Sequence, residues 1–410
     1  MNPSERINLH DLAPLTLDAT LRDFVSPPFR AKQIEEWMHV RGASSFEQMT
    51  NVPKELRAQL AERFTIDFPR VVEVTPPAPD GSRKYLFALA DQQRIESVYM
   101  PMGDRTSVCL SSQAGCAVGC TFCVTGFFGA GRNLTPGEMV GQFFTIVHEH
   151  QVPLELMNVV FMGMGEPLLN YENVVTTLDI LYRTVAPKRI TLSTSGIIPG
   201  IEDLARLPRR PNLAVSINAP DRERREEIMP ITKKYPLDEL MAVLRRFPVE
   251  KGRDITMEYV LIAGYNDSPQ DAAALAKLIR GVHAKVNAIP LNEDANLPKW
   301  MKRPSDAAID RFVDALVSHD VRVTVRRSKG RDIAAACGQL RGKSEPRSRA
   351  SRHPEPVERR TPSSATARRR AATPPDHPSR QPELADRRVY RPVGSELARE
   401  KRHPFHGKRR

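Results

Sequence analysis

Beyond residue 109 the chain alternates between strand-like and helical patterns. Strand candidates stand at 157–162, 190–193, 213–217, 255–262, 285–289 and 322–325. Apolar residues at helical spacing separate most of them, at 174–182, 201–207, 237–247, 270–279 and 306–319. Thr135-Pro136-Gly137-Glu138 reads as an N-cap, a proline at the first helical position and a glutamate at the third, opening a further helix toward His148. Strands joined by helices rather than hairpins are expected to run parallel. The predicted class is α/β, six parallel strands with crossover helices curled into an open, partial barrel. Ligands on such sheets sit at the carboxyl ends of the strands, so the loops there hold the candidate site residues.

The first 90 residues read differently. Phe29, Gln33–Ile34 and Trp37–Met38 recur at helical spacing, Ser44-Ser45-Phe46-Glu47 looks like a helix start, and a further helix is expected over 53–64. Strand character follows near 71–74, 84–89 and 95–100. The expected organisation is a small, mostly helical accessory domain (1–90), a larger α/β domain (91–345) and a tail (346–410); the RNA-binding role of the first and the catalytic role of the second are implied only by the resemblance given below.

The tail holds 18 Lys and Arg against 7 Asp and Glu, nearly all of the net charge of +12, together with 10 of the 35 prolines. Such a composition cannot bury enough apolar surface to offset its ordering entropy, so disorder is expected there. It is either a polybasic arm for RNA or a non-homologous extension. The rest of the chain is close to neutral, and its basic stretches at 222–225, 233–234, 245–246 and 326–331 are either phosphate contacts or solvated faces. With 40% hydrophobic residues, no run of about 18 apolar residues and no apolar leader, a cytoplasmic enzyme without membrane contact is expected.

Four of the five cysteines fall in the arrangement Cys109-x6-Cys116-x3-Cys120-x2-Cys123, and the fifth, Cys337, lies far downstream. Cys109 stands at a probable strand end. Three thiolates on one short glycine-bearing loop suit a soft metal centre. A structural zinc site would want four ligands, and a lone C-x2-C would suit a redox pair. An iron–sulfur cluster held by Cys116, Cys120 and Cys123 accounts best for the spacing, because three protein ligands leave one iron open to a small molecule.

C-x3-C-x2-C with Phe122 before the last cysteine resembles the signature of the radical S-adenosylmethionine enzymes. Gly163-Met164-Gly165-Glu166-Pro167, after the strand at 157–162, stands where that superfamily binds the methionine part of its cofactor. The narrower resemblance rests on six blocks in order: Phe29-Arg30-Ala31-Lys32-Gln33, Ser111-Ser112-Gln113-Ala114-Gly115-Cys116, Arg132-Asn133-Leu134-Thr135, the Gly163 block, Thr191-Leu192-Ser193-Thr194-Ser195-Gly196 and Ala336-Cys337-Gly338-Gln339-Leu340. Together, over about residues 27–342, they resemble the RlmN family of RNA adenine-C2 methyltransferases, whose fold is an accessory domain followed by a partial (βα)6 radical-SAM barrel.

The resemblance implies a 4Fe-4S cluster on Cys116, Cys120 and Cys123, with S-adenosylmethionine as second cofactor. It implies that Cys337 takes a methyl group from a first S-adenosylmethionine, and that a radical from a second activates that methyl for addition to adenine. Cys109 then attacks the Cys337 sulfur, leaving a disulfide. Glu96, in Ile95-Glu96-Ser97, matches the family's proton acceptor; its alternative is a strand-surface carboxylate. Gly165, Glu166, Ser193, Ser216, Ile217, Asn218 and Asn292 match the family's S-adenosylmethionine contacts. Asn218 departs from the pattern, since many relatives carry histidine there; an amide keeps a donor and an acceptor but cannot become cationic.

The implied substrates are an adenine in the peptidyl-transferase region of 23S rRNA and the adenine 3′ to the anticodon in tRNAs. A flavodoxin- or ferredoxin-like donor supplies electrons, and the protein is expected to be a monomer. Two alternatives stay open: a relative that methylates carbon 8, and an RNA-binding protein with a structural metal. The N-terminal domain and the Phe29–Gln33 block favour the first reading over carbon 8.

Overall fold

The protein is described here from a computed structural model, which describes residues 6–326, 330 and 333–340. Three helices, α1 (Pro14–Phe24), α2 (Phe29–His39) and α3 (Lys54–Arg63), form the N-terminal part with two short parallel strands, β1 (Ile7–Asn8) and β2 (Phe64–Thr65). They enclose a core of their own, built on Leu9, Leu17, Leu21, Ile34, Met38, Leu60 and Ile66. The helix expected to start at Ser44 is a single 3-10 turn, Phe46–Gln48, closed by a capping box between Ser45 and Gln48. The α1 helix was not legible in the sequence pattern.

The rest is one ten-stranded sheet. An antiparallel run of β3 (Arg70–Val74), β4 (Arg83–Ala88) and β5 (Arg94–Met102) leads into β6 (Arg105–Cys109). From β6 the strands are parallel and in sequence order: β7 (Met157–Phe161), β8 (Ile190–Thr194), β9 (Asn212–Ser216), β10 (Ile255–Leu261), β11 (Ala284–Pro290) and β12 (Val323–Val325). The parallel strands number seven rather than six, because β6 opens the series. The helices are α4 (Pro136–His150), α5 (Tyr171–Leu181), α6 (Ile198–Arg206), α7 (Arg222–Ile228) with α8 (Leu237–Arg246), α9 (Pro269–Leu278) and α10 (Asp306–Val317). They make six strand–helix units closed by β12. Because β3 and β12 are the two ends of the strand order, the barrel is open.

The boundary expected at residue 90 falls inside the β4–β5 hairpin, whose strands pair from Arg83↔Tyr99 to Ala88↔Arg94. The helical part ends near Ile66, and the sheet begins at β3. The tail expected to be disordered, 346–410, lies outside the described residues.

Register divides the sheet into two chemically different faces. One carries Val108, Val159, Phe161, Leu192, Leu213, Val215, Met257, Tyr259 and Val286. These pack into one core with Met139 and Phe143 of α4, Leu178 of α5, Leu204 of α6, Leu240 of α8, Leu275 of α9 and Phe312 of α10. The opposite face carries Lys84, Glu96, Cys109, Ser193, Ser216, Glu258 and Asn287, in register across the strands. An α/β sheet buries both faces, so polar residues in register on one of them mark the inside of the barrel as the site.

Candidate active site

Two loops and one strand end bring the five cysteines together. Cys109 closes β6 and is buried, and Cys116, Cys120 and Cys123 follow on the loop before α4. That loop is pinned at both ends. Ser111 Oγ donates to the Glu96 carbonyl (2.6 Å) and accepts from Met164 N (2.8 Å), while Gln142 of α4 accepts from Ser111 N (2.9 Å) and donates to Ser111 O (3.1 Å). Thr121 N donates to Ile228 O (3.0 Å), docking the loop on α7. The segment carrying Cys337 lies on the same loop, with Val124 N donating to Gly338 O (2.7 Å) and Thr125 Oγ1 to Leu340 O (2.6 Å).

Burial pushes the thiols of Cys109, Cys116, Cys120 and Cys123 up. Cys109 and Cys116 reach about 12, and Cys123 is raised too. Neighbouring thiols add to this: Cys123 acts on Cys116 and on Cys120, and Cys337 acts on both Cys123 and Cys109. The five sulfurs therefore form one connected group, not a trio with two outliers. Three thiolates on one loop suit a cluster in which each serves a separate iron. The apolar cluster of Val124, Ile228, Met229, Ile262, Leu291 and Met301, with Phe122, Phe127 and Phe128 against it, gives the loop the dry surroundings that a cluster needs.

The glycine loop after β7 lies against the cysteine loop. A side chain at Gly163 would meet the Leu110 backbone at 2.7 Å, and Gly165, at φ +101°, would press one into Gln113 at 2.5 Å. Only glycine permits that approach. Glu166 is buried with its carboxylate occupied: one oxygen accepts from Ser195 N and Ser195 Oγ (both 2.7 Å), the other from Leu168 N (3.1 Å). Burial holds its pKa above the usual carboxylate value, against those bonds. Its visible work is to tie the loops after β7 and β8 together.

The remaining expected cofactor contacts fall at the carboxyl ends of their strands, with different freedom. Ser193 and Ser216 are half-buried on the inner face. Ile217 has its side chain in the core, so only its backbone faces a ligand. Asn218 is fully buried at φ +58°, a conformation asparagine tolerates better than most residues. Its Oδ1 accepts from Val260 N (2.8 Å) and its Nδ2 faces the Met229 sulfur (3.2 Å). The amide thus serves the join between β9 and β10. Asn292 Nδ2 donates to Cys337 O (3.2 Å), linking the loop after β11 to the distant cysteine.

Sequence reasoning missed four groups here. Lys84 of β4 pairs with Glu96 (3.1 Å). Glu258 of β10 accepts from Asn287 (2.9 Å). Arg326, read only as part of the basic 326–331 stretch, faces Cys337, Glu258 and Cys109, which raise its pKa above the ordinary arginine value. Arg225 was read as part of a phosphate-facing or solvated stretch, and the structure contradicts both readings. It is fully buried, donating to the carbonyls of Ser195 (2.7 Å), Ser216 (3.0 Å) and Ile217 (3.2 Å) and to Thr232 Oγ1 (2.6 Å). Burial lowers it to about 10, and the nearby Cys120 opposes that shift. The signal available was an arginine on the apolar side of the short 222–228 helix, at i and i+3 with Ile228. Nor does Arg224 look outward, since it pairs with Asp271 (2.6 Å); Arg245 is exposed, as a solvated face would be, and donates to Leu278 O (3.1 Å).

Comparisons with known proteins agree with this architecture. The family model of the ribosomal RNA large subunit methyltransferase N-terminal domain matches residues 7–66, and that of the radical SAM superfamily matches residues 110–276. The dual-specificity RNA methyltransferase RlmN of Anaeromyxobacter dehalogenans is 44% identical over 358 residues, 84% of this chain and 95% of its own. That of Desulfosudis oleivorans is 47% identical over 318 residues, 76% and 85% of the two chains. A crystal structure of a radical SAM methyltransferase from Sphaerobacter thermophilus superposes with a TM-score of 0.77 at 44% identity, covering 82% of this chain and all of that one. The cofactors of such enzymes are a 4Fe-4S cluster and S-adenosylmethionine. With an N-terminal domain and a barrel that both agree with these matches, the chain belongs to the RlmN family of radical SAM methyltransferases.

Proposed function

We propose that this protein methylates carbon 2 of adenine, at one position in the peptidyl-transferase region of 23S rRNA and at the adenine 3′ to the anticodon in tRNAs. The observation that supports the reading is the nearness of Cys337 to both Cys109 and Cys123, on a segment bonded to the cysteine loop through Val124 N and Gly338 O. Methyl transfer to an ordinary nucleophile needs neither thiol. Carbon 2 of adenine is electron-poor and carries no acidic proton, so it calls for a methyl group held on the protein and activated there. When bound, the cluster on Cys116, Cys120 and Cys123 and S-adenosylmethionine supply that methyl group and a carbon radical.

The chain's own residues do the rest. Cys337 carries the methyl-derived carbon to adenine. Glu96, on the inner face beside Cys109, accepts the proton that leaves carbon 2. Cys109 thiolate attacks the Cys337 sulfur: the S–S bond forms, the S–C bond breaks, and its electron pair passes to the carbon, which is protonated to a methyl group. A thiol reductant then restores both cysteines. Gly165, Glu166, Ser193, Ser216, Ile217, Asn218 and Asn292 shape the cofactor pocket, Glu166 and Asn218 through the loops they hold.

No helix among the described residues is long and apolar enough to cross a membrane. The reading includes a cytoplasmic location, where both RNAs are made, a monomeric protein and a flavodoxin- or ferredoxin-like electron donor. The test is mass spectrometry of digested 23S rRNA and tRNA after incubation with the anaerobically reconstituted protein. The expected product is 2-methyladenosine in both RNAs. Formation of 8-methyladenosine, or of no methylated adenosine, would overturn the reading.

A further inference from the structure

We propose that Lys84 is a positioning residue that joins the carboxylate of Glu96 to the segment carrying Cys337. Its ammonium lies 3.1 Å from Glu96 Oε1 and donates to the carbonyl of Ala334 (3.2 Å). The proposal rests on the reading of Glu96 as proton acceptor.

The placement follows from register. Lys84 stands opposite Val98, and Val98 stands opposite Cys109, so the three share a row across β4, β5 and β6. Glu96 is two residues along β5 from Val98, hence on the same face, toward the carboxyl end of β6. The side chains of Lys84 and Glu96 are 11% and 2% exposed, so the pair is screened from water. Removing the ammonium from so dry a pair is strongly unfavourable, so the lysine fixes where the carboxylate sits.

The second contact makes this more than a buried ion pair. Ala334 has φ +48°, a left-handed backbone that is uncommon outside glycine and asparagine. Its carbonyl is turned toward Lys84 three residues before Cys337. Four residues before Lys84, Asp80 accepts from Gly330 N (2.9 Å), four residues before Ala334. The β3–β4 hairpin therefore grips the Cys337 segment at two points with matching spacing. One ammonium thus ties the seating of that segment to the position of the Glu96 carboxylate.

The experiment uses the full chain, anaerobically reconstituted, with S-adenosylmethionine and substrate RNA. It compares Lys84→Met, Lys84→Arg, Glu96→Ala and Cys109→Ala. Lys84→Met is expected to accumulate the covalent protein–RNA adduct, as Glu96→Ala does, while turnover falls roughly 10²-fold, the scale of a lost acid–base contribution. In the protein without RNA, its Cys337 should be alkylated faster than in the parent. Lys84→Arg should restore much of both. Thermal midpoints of all variants separate misfolding from these effects. If Glu96→Ala builds up no adduct, the base reading fails. If Glu96→Ala builds it up and a folded Lys84→Met does not, the Lys84 proposal alone fails. Unchanged alkylation of Cys337 in Lys84→Met overturns the tether.

Discussion

The backbone amide of Val124 donates to the carbonyl of Gly338 across 2.7 Å, so the residue after one expected cluster ligand is bonded to the residue after the distant cysteine. Gly338 takes φ +82°, and a side chain there would meet the Phe122 carbonyl at 3.3 Å. The cluster loop and the Cys337 turn are thus a single docked unit.

Replacing any one of Cys116, Cys120 or Cys123 by alanine should abolish both iron incorporation and S-adenosylmethionine cleavage, because each thiolate serves a separate iron. Iron and sulfide assays after anaerobic reconstitution check this. A Cys120→Ala protein with parental iron content and cleavage activity would refute the ligand set.

The two remaining thiols should fail differently. Cys109→Ala should still methylate Cys337 and form the RNA adduct, then stall, so that a covalent adduct accumulates on denaturing gels. Cys337→Ala should form none. The same gel pattern from both variants would contradict the division of labour.

His10 and His39 are both fully buried in the N-terminal part, and neither ring nitrogen of His39 has a hydrogen-bond partner among the described residues. Burial lowers them to about 4 and about 3 from an ordinary 6.5. Both rings are neutral when folded and gain protons more readily when unfolded. Their contribution to stability is therefore complete above about pH 6.5 and is lost as the pH falls toward 4, by about 1.4 kcal/mol per pH unit for each ring. Urea unfolding near pH 7 and pH 5 should show a smaller loss in His39→Leu than in the parent. Equal losses would remove these histidines as the cause.

Arg225 satisfies three carbonyls and a hydroxyl at once, and no carboxylate is among its hydrogen-bond partners. Arg225→Met leaves those acceptors buried without donors and should lower the unfolding free energy by about 3 kcal/mol. Arg225→Lys should recover only part, since an ammonium cannot span the ends of β8 and β9 together. Chemical denaturation gives both values; a Met variant as stable as the parent would show that the acceptors find other donors.

Truncation after Lys343 removes most of the net positive charge. RNA affinity at low salt should fall, and the slope of log K against log salt should flatten, because fewer counterions are released. Turnover at saturating RNA should persist, since every proposed catalytic residue lies upstream. Unchanged affinity and slope would show that the tail is no RNA arm.

The sequence by itself determined the α/β class, the strands from 157 onward and the cysteine spacing. These signals are local: a strand's apolar run, a cap such as Thr135–Glu138, and three thiols on one loop are each written in adjacent residues. It also pointed to Glu96 and Cys337, though only through the family resemblance, Cys337 within its last block and Glu96 in Ile95-Glu96-Ser97. The tertiary structure alone decided what those residues touch. Lys84 and Glu258 carry no sequence mark of function, and Arg326 and Arg225 only that of a basic run, because the inner face of a barrel is assembled from every second residue of strands far apart in the chain. Arg225 shows the reason most plainly. A run of charges suggests solvent, yet the 222–228 helix lies over the ends of β8 and β9, and carbonyls left open there by the strands take its guanidinium into the core. Whether a charge is a surface group or a buried strut depends on which backbone acceptors the fold leaves unpaired, and that is settled only when the strands have come together.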